Sequence, residues 1–251
     1  VFFNPALMGL TGLNNLTSVG NKLTIQVNHS LSSLTGLENL TYIGGDLGIW
    51  NNIALATLSH LGNVSTVAGY IKVGGNDLLV NLAGLENIVT IGGDLTIDDN
   101  SSLTSLTGLQ NLTYVAGGLL IGDSPGLKSL TPLSNTTNIG DYLIIFGNDS
   151  LTTLSGLNNV LNINGDIYIE NNPLLSHCDV ESICNYLVSP NGTMEIHNNA
   201  PGCNSPGEVW DSCLITAIKE IKLPAGIKII PNPSNDKITI SSSAITGITQ
   251  R

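Results

Sequence analysis

Leucine recurs along most of this chain at a fixed interval. Leu7, Leu31, Leu55, Leu79, Leu103, Leu127, Leu151 and Leu175 are each 24 residues apart, with no insertion or deletion between them. A second column runs from Leu10 to Leu154 and a third from Leu13 to Leu157. A fourth column alternates Val and Ile from Val19 to Ile163. The unit reads L-x-x-L-x-G-L-x-N-L-x-x-I-G-G-D-L-x-I-x-x-N-x-x. Its L-x-I element (Leu23/Ile25 through Ile167/Ile169) alternates apolar and polar positions with period two, which predicts a short strand with both apolar side chains inward. A single coil of this size closes no core. Stacked at about 4.8 Å, such coils align their strands into a parallel sheet and share one aliphatic interior. Seven coils predict a parallel β-solenoid, a rod of roughly 30–35 Å. Each fully buried aliphatic is worth about 1.5–3 kcal/mol, so the stack, not the single coil, holds the fold.

Two columns are polar. Asn15, Asn39, Asn63, Asn87, Asn111, Asn135 and Asn159 fill one. Asn28, Asn52, Asn76, Asn100, Asn148 and Asn172 fill the other, interrupted by Ser124. Both are expected to point inward at turns and to bond the backbone of their own and the next coil. Asn15, Asn28, Asn39, Asn63, Asn100, Asn111, Asn135, Asn148 and Asn191 also open N-x-S/T triplets, the glycosylation alternative. The structural reading is favoured because Asn87 and Asn159 keep the column without the triplet.

The period breaks after Leu175. Cys178 takes the position held one repeat earlier by Leu154. Residues 178–188 predict a short helix with Val180, Ile183 and Leu187 on one side. Residues 194–196 predict one more strand. Ser205-Pro206-Gly207-Glu208 has the N-cap, N1 and N3 chemistry that opens a helix, expected to reach about Leu214. The domains expected are 1–177 (solenoid), 178–214 (cap) and 215–251 (tail).

The L-x-I-x-x-N-x-x-L-x-x-L stretch resembles a leucine-rich repeat. Its G-G-D-L-x-I variant is similar to the receptor L domain type of right-handed parallel β-solenoid, over residues 7 to about 177. The coils are more regular than in receptor L domains, and the cysteine-rich neighbour is missing, so a growth-factor receptor role does not carry over. Residues 178–214 resemble the closing cap of bacterial leucine-rich surface proteins. Capping covers an apolar end and an unpaired strand edge. In the tail, Ile227 to Ile240 reads as strand, Pro-rich turn and strand. Its P-N-P at 231–233 resembles the opening of the C-terminal sorting domain of the bacterial type IX secretion system. That resemblance implies recognition by export machinery, then surface attachment or release. The chain reads as processed near Val1 and as stopping midway through the tail domain.

Composition narrows the function. The four cysteines, Cys178, Cys184, Cys203 and Cys213, all fall in the cap, which suggests two disulfides and a secreted or outer-surface location. Their pairing stays open, with Cys178–Cys184 and Cys203–Cys213 preferred. The net charge is −11 and the one Arg is Arg251, so the basic footprint of a nucleic-acid binder is missing. Charged residues make up 11%, against about 25% in ordinary domains. No apolar run is long enough to span a bilayer. No metal-ligand spacing joins His29, His60, His177 and His197, and no nucleophile motif occurs. Asp46, Asp94 and Asp166 share a column, but nothing raises one of their pKa values for acid–base work. Asp98-Asp99-Asn100 is a weak calcium candidate. No enzyme and no cofactor is expected.

Strand alternation leaves Trp50, Tyr70, Leu120, Tyr142, Ile144, Phe146 and Tyr168 facing outward. Five of them, Leu120 to Tyr168, are expected to form one contiguous patch on adjacent coils. Such a patch predicts a binding or adhesion face for a protein or glycan. The alternative is self-association into an extracellular filament or surface layer.

Overall fold

A computed structural model describes residues 1–220, 227–232 and 237–242, with side chains through residue 215. Eight strands of four residues form one parallel sheet: β1 (Leu23–Gln26), β2 (Leu47–Trp50), β3 (Ile71–Gly74), β4 (Leu95–Asp98), β5 (Leu119–Gly122), β6 (Leu143–Phe146), β7 (Ile167–Glu170) and β8 (Met194–His197). They lie in strict chain order, so every crossover is one coil. Leu23 pairs with Leu47 and Leu47 with Ile71, a step of 24 residues kept as far as Ile167. Seven two-residue strands, from Ser18–Val19 to Asn162–Ile163, form a second parallel sheet at the next corner. In four coils a 3-10 turn follows the second leucine of the repeat, at Thr11–Leu13, Ser59–Leu61, Thr131–Leu133 and Ser155–Leu157. This is a parallel β-solenoid of about eight turns.

The predicted spine is the core. In the fourth coil Leu79, Leu82, Leu85, Ile88, Leu95 and Ile97 are fully buried. In the first coil Leu7, Leu13, Leu16 and Val19 are only half-buried, because a coil stacks on one side of them. Thr136 replaces an aliphatic in one core column; its hydroxyl donates to Leu112 O at 3.1 Å, so the buried oxygen is not stranded.

The two Asn columns differ. Asn28, Asn52, Asn76, Asn100, Asn148 and Asn172 are fully buried. The backbone N–H of Asn52 donates to Asn76 Oδ1 at 3.2 Å. Asn76 Nδ2 donates to Ile49 O in the preceding coil and Gly74 O in its own, both at 3.0 Å. The expectation that the Asn15 column also points inward is corrected. Asn15, Asn39, Asn63, Asn87, Asn111, Asn135 and Asn159 are exposed. From Asn39 onward each Nδ2 still reaches back to a carbonyl of the previous coil, as Asn111 does to Glu86 O at 2.8 Å. A side chain lying along the outside of the turn makes that bond, so direction and bonding are separate questions here.

The cap also differs in detail. Helix α1 spans Glu181–Val188, three residues later than expected, because Val180 is extended. It buries Ile183 and Tyr186, and the Tyr186 hydroxyl donates to Gly165 O at 2.7 Å. Helix α2 runs Pro206–Glu220, past the expected end at Leu214, because residues 215–220 hold no Gly or Pro. Its start is as read: Ser205 Oγ accepts the Glu208 N–H at 3.2 Å, and Glu208 Oε2 accepts the N–H groups of Gly202 and Asn204. The preferred disulfide pairing is corrected. The bonds are Cys178–Cys203 and Cys184–Cys213, with separations of 25 and 29 residues. One turn of the solenoid brings Cys203 beside Cys178, as 24 residues stack every other column. Cys184 and Cys213 then meet where α1 packs on α2. In the tail, β9 (Ile227–Asn232) and β10 (Lys237–Ser242) pair antiparallel; Pro231 and Asn232, expected in the Pro-rich turn, are the last residues of β9, and 233–236 lie outside the described residues.

Candidate functional site

The outer face of the long sheet carries the alternate residues of each strand. Trp50, Tyr70, Leu120, Tyr142, Ile144, Phe146 and Tyr168 are all half-buried there. Leu120 pairs with Ile144 and Ile144 with Tyr168, so β5, β6 and β7 set three apolar side chains in one row. Phe146 stands two positions along, between Gly122 and Glu170. Glycine sets how the rings lie. A β-carbon at Gly122 would sit 2.3 Å from the Phe146 ring, and one at Gly118 would sit 2.4 Å from the Tyr142 ring. Each ring therefore lies against bare backbone of the preceding coil. Trp50 does the same within its own strand, its ring lying over Gly48 where no β-carbon would fit.

Charges rim these rings. The Tyr142 hydroxyl is pushed up to about 12 by burial, by the Asp94 charge and by its hydrogen bond to Asp94. Tyr142 stays a neutral donor at any physiological pH. The column of Asp46, Asp94 and Asp166 is structural: each Oδ1 accepts an N–H of the next coil, from Tyr70, Gly118 and Thr193 at 3.2, 2.8 and 2.7 Å. Sequence reading missed that role, although a recurring Asp beside the G-G corner was its signal. Glu170 Oε2 lies 3.0 Å from His197 Nε2 beside Phe146. His60 is half-buried between Thr35 Oγ1 at 3.2 Å and Glu38 at 3.8 Å.

Trp50 and Tyr70 lie apart from the five-residue patch. They line a depression of about 390 Å³ with Asn51, Lys72, Gly74, Gly75, Asp98 and Asp99. Lys72 Nζ lies 3.1 Å from Asp98 Oδ2. Lys22 Nζ donates to the Tyr70 hydroxyl at 3.1 Å. The calcium candidate does not gather ligands: among the described residues no group of three or more His, Cys, Asp or Glu side chains could hold a metal ion. Among the same residues no helix is long and apolar enough to cross a membrane.

A parallel sheet with an apolar, aromatic outer row can dock a partner. Residues 89–212 match the family model of the receptor L domain. That span is just under half of the chain and runs from the fourth coil to α2. It holds the patch of Leu120, Tyr142, Ile144, Phe146 and Tyr168 together with Cys178, Cys184 and Cys203, and Cys213 lies one residue past its end. The receptor L domain is a non-enzymatic ligand-binding module of receptors, which is consistent with a non-catalytic binding role and with the solenoid seen here. Neither the curated proteins nor the solved structures gave a match.

Proposed function

We propose that this chain is a secreted or cell-surface binding module that docks a protein through the outer face of its long sheet. The observation that carries the reading is the row Leu120, Ile144 and Tyr168 with Phe146 and Tyr142 beside it, half-buried on three adjacent strands. An apolar cluster on a solvent face marks a partner site in most soluble proteins. Asp94, Asp141, Asp166, Glu170 and Glu195 surround it, within a chain of net charge −11. The fitting partner is therefore a protein with an apolar patch rimmed by Lys or Arg. The two disulfides support an oxidising, extracellular setting. The paired tail strands and their P-N-P sequence support export through a type IX-like route.

The test is an array of extracellular proteins probed with the purified chain and with Phe146→Ala/Tyr168→Ala. The parent is expected to capture a basic-rimmed protein, and the double variant to bind it at least tenfold more weakly with an unchanged melting temperature. Equal binding by the variant sinks the reading. Concentration-dependent growth in light scattering, abolished by the same two changes, would replace it with a filament or surface-layer subunit.

A further inference from the structure

The geometry points to a second binding site on the same sheet, a notch built around Trp50 that takes a neutral sugar ring. The inference rests on reading the sheet face as a binding surface, but on different residues from those that carry that reading.

The notch exists because one coil lacks side chains where its neighbours have them. Trp50 pairs in register with Gly74, and Gly74 with Asp98. Gly75 follows Gly74 with φ +61°, a left-handed turn that suits glycine. The side chains of Trp50 and Asn51 therefore face those of Asp98 and Asp99 across bare backbone, two coil steps or about 9.6 Å apart. The space, about 390 Å³, falls within the roughly 300–1,000 Å³ of small-molecule pockets.

The lining selects the chemistry. Trp50 presents an indole whose underside rests on Gly48, so its plane is held and its other face is available for stacking. Lys72 excludes a cationic ligand, and Asp98 and Asp99 exclude an anionic one. Lys72 and Asp98 neutralise each other at 3.1 Å, leaving a site with fixed donors and acceptors and little net attraction for charge. The Lys72 ammonium has three donors and spends one on Asp98 Oδ2. Asp98 Oδ1 has no hydrogen-bond partner but is buried on Gly74, where a β-carbon would meet it at 2.3 Å, so the open carboxylate of the rim is that of the exposed Asp99. The Tyr70 hydroxyl accepts from Lys22 and keeps its own proton to donate. A pyranose fits this set: an apolar C–H face for the indole, and hydroxyls that both donate and accept at the rim. Trp50, Tyr70, Lys72 and Gly74–Gly75 precede the stretch that matches the receptor L domain, and Asp98 and Asp99 fall inside it, so the notch straddles the start of that stretch.

The chain has two tryptophans, Trp50 and Trp210, so Trp210→Phe leaves Trp50 as the sole reporter. In that background, the methyl glycosides of glucose, galactose, mannose and N-acetylglucosamine are titrated one at a time. At least one is expected to change Trp50 emission saturably and to show saturation-transfer NMR contacts. Trp50→Ala should remove the NMR contacts, and Asp99→Asn should weaken them severalfold at an unchanged melting temperature. Phe146→Ala/Tyr168→Ala should leave the titration as it was. Silence from all four glycosides, contacts that survive Trp50→Ala, or tighter binding of lysine methyl ester than of any glycoside overturns the sugar site. Protein capture by the patch would stand through each of those results, and a sugar titration would stand if the patch captured nothing.

Discussion

Asn148 Oδ1 is buried without a hydrogen-bond partner, and the cause is one residue in the neighbouring coil. Elsewhere that oxygen accepts the N–H and Nδ2 of the Asn one repeat earlier, as Asn76 Oδ1 does from Asn52. Before Asn148 the position holds Ser124, whose hydroxyl turns back to Gly122 O at 3.1 Å. Ser124→Asn is expected to rejoin the ladder and to stabilise the fold by about 1–2 kcal/mol, read by urea unfolding. A lower midpoint would mean that the turn cannot accept the larger amide. The two Asn columns should also separate in cost. Asn76→Ala strands the buried Asn52 N–H and takes one donor each from Ile49 O and Gly74 O, the latter keeping the Asn51 N–H, and should cost about 2–3 kcal/mol. Asn111→Ala loses one bond at an exposed position and should cost about 0.5–1 kcal/mol. Similar losses would show that exposure does not rank the columns. The sequence displayed the columns as equals because a 24-residue period reports recurrence, not direction. In Leu119-Leu120-Ile121 alternation fixes which side chain turns in, whereas at the turn holding Asn111 no such rule applies.

At the scale of strand and turn, identical stacking has a cost for like charges. The turn after each long strand carries a residue in the left-handed region: Val27, Asn51, Gly75, Asp99, Asp123, Gly147, Asn171 and Asn198. Asp99 and Asp123 are successive members, so the stack sets two carboxylates one coil apart. Burial first, then the charges of Asp99, Asp98 and Asp149, raise the Asp123 pKa above its ordinary 3.8. The folded state thus holds that proton to higher pH than the unfolded chain does. Stability falls as pH rises from 3.8 through the raised value, and above it the repulsion acts in full. Asp123→Asn should melt higher than the parent at pH 7, and its advantage should shrink as pH drops through that window. A pH-independent gain would assign the effect to the preference of Asn for the left-handed turn instead. The outward row from Leu120 to Tyr168 was legible because it follows from strand alternation and a constant register. The notch was not, since Trp50, Gly74–Gly75 and Asp98–Asp99 belong to three coils and only the turn brings Asn51 and Asp99 beside it. Lys72 and Asp98 could be placed on the outer face from the sequence, but not their 3.1 Å contact.

The whole molecule is close to one-dimensional: each coil touches its neighbours, and stability is passed along the stack. The two disulfides act at one end of that line. Cys178–Cys203 ties the start of the eighth coil to the turn that follows β8, while Cys184–Cys213 ties α1 to α2. The sequence placed all four cysteines in the cap but not their partners, because pairing depends on which column the chain re-enters after α1. The step from Ile167 to Met194 is 27 residues rather than 24, and nothing in the preceding repeats announces it. Each bond is worth typically 2–4 kcal/mol, and in a linear stack that energy should be felt locally. Cys184→Ala/Cys213→Ala is therefore expected to speed hydrogen exchange in α1, β8 and β7 while β2 to β4 keep the parent's protection. Exchange–mass spectrometry under native conditions resolves those segments. A uniform rise from β1 to β8 would show that the solenoid opens as one unit. The cap would then set the stability of the whole binding face, and even the notch, several coils from the cap, would depend on that disulfide.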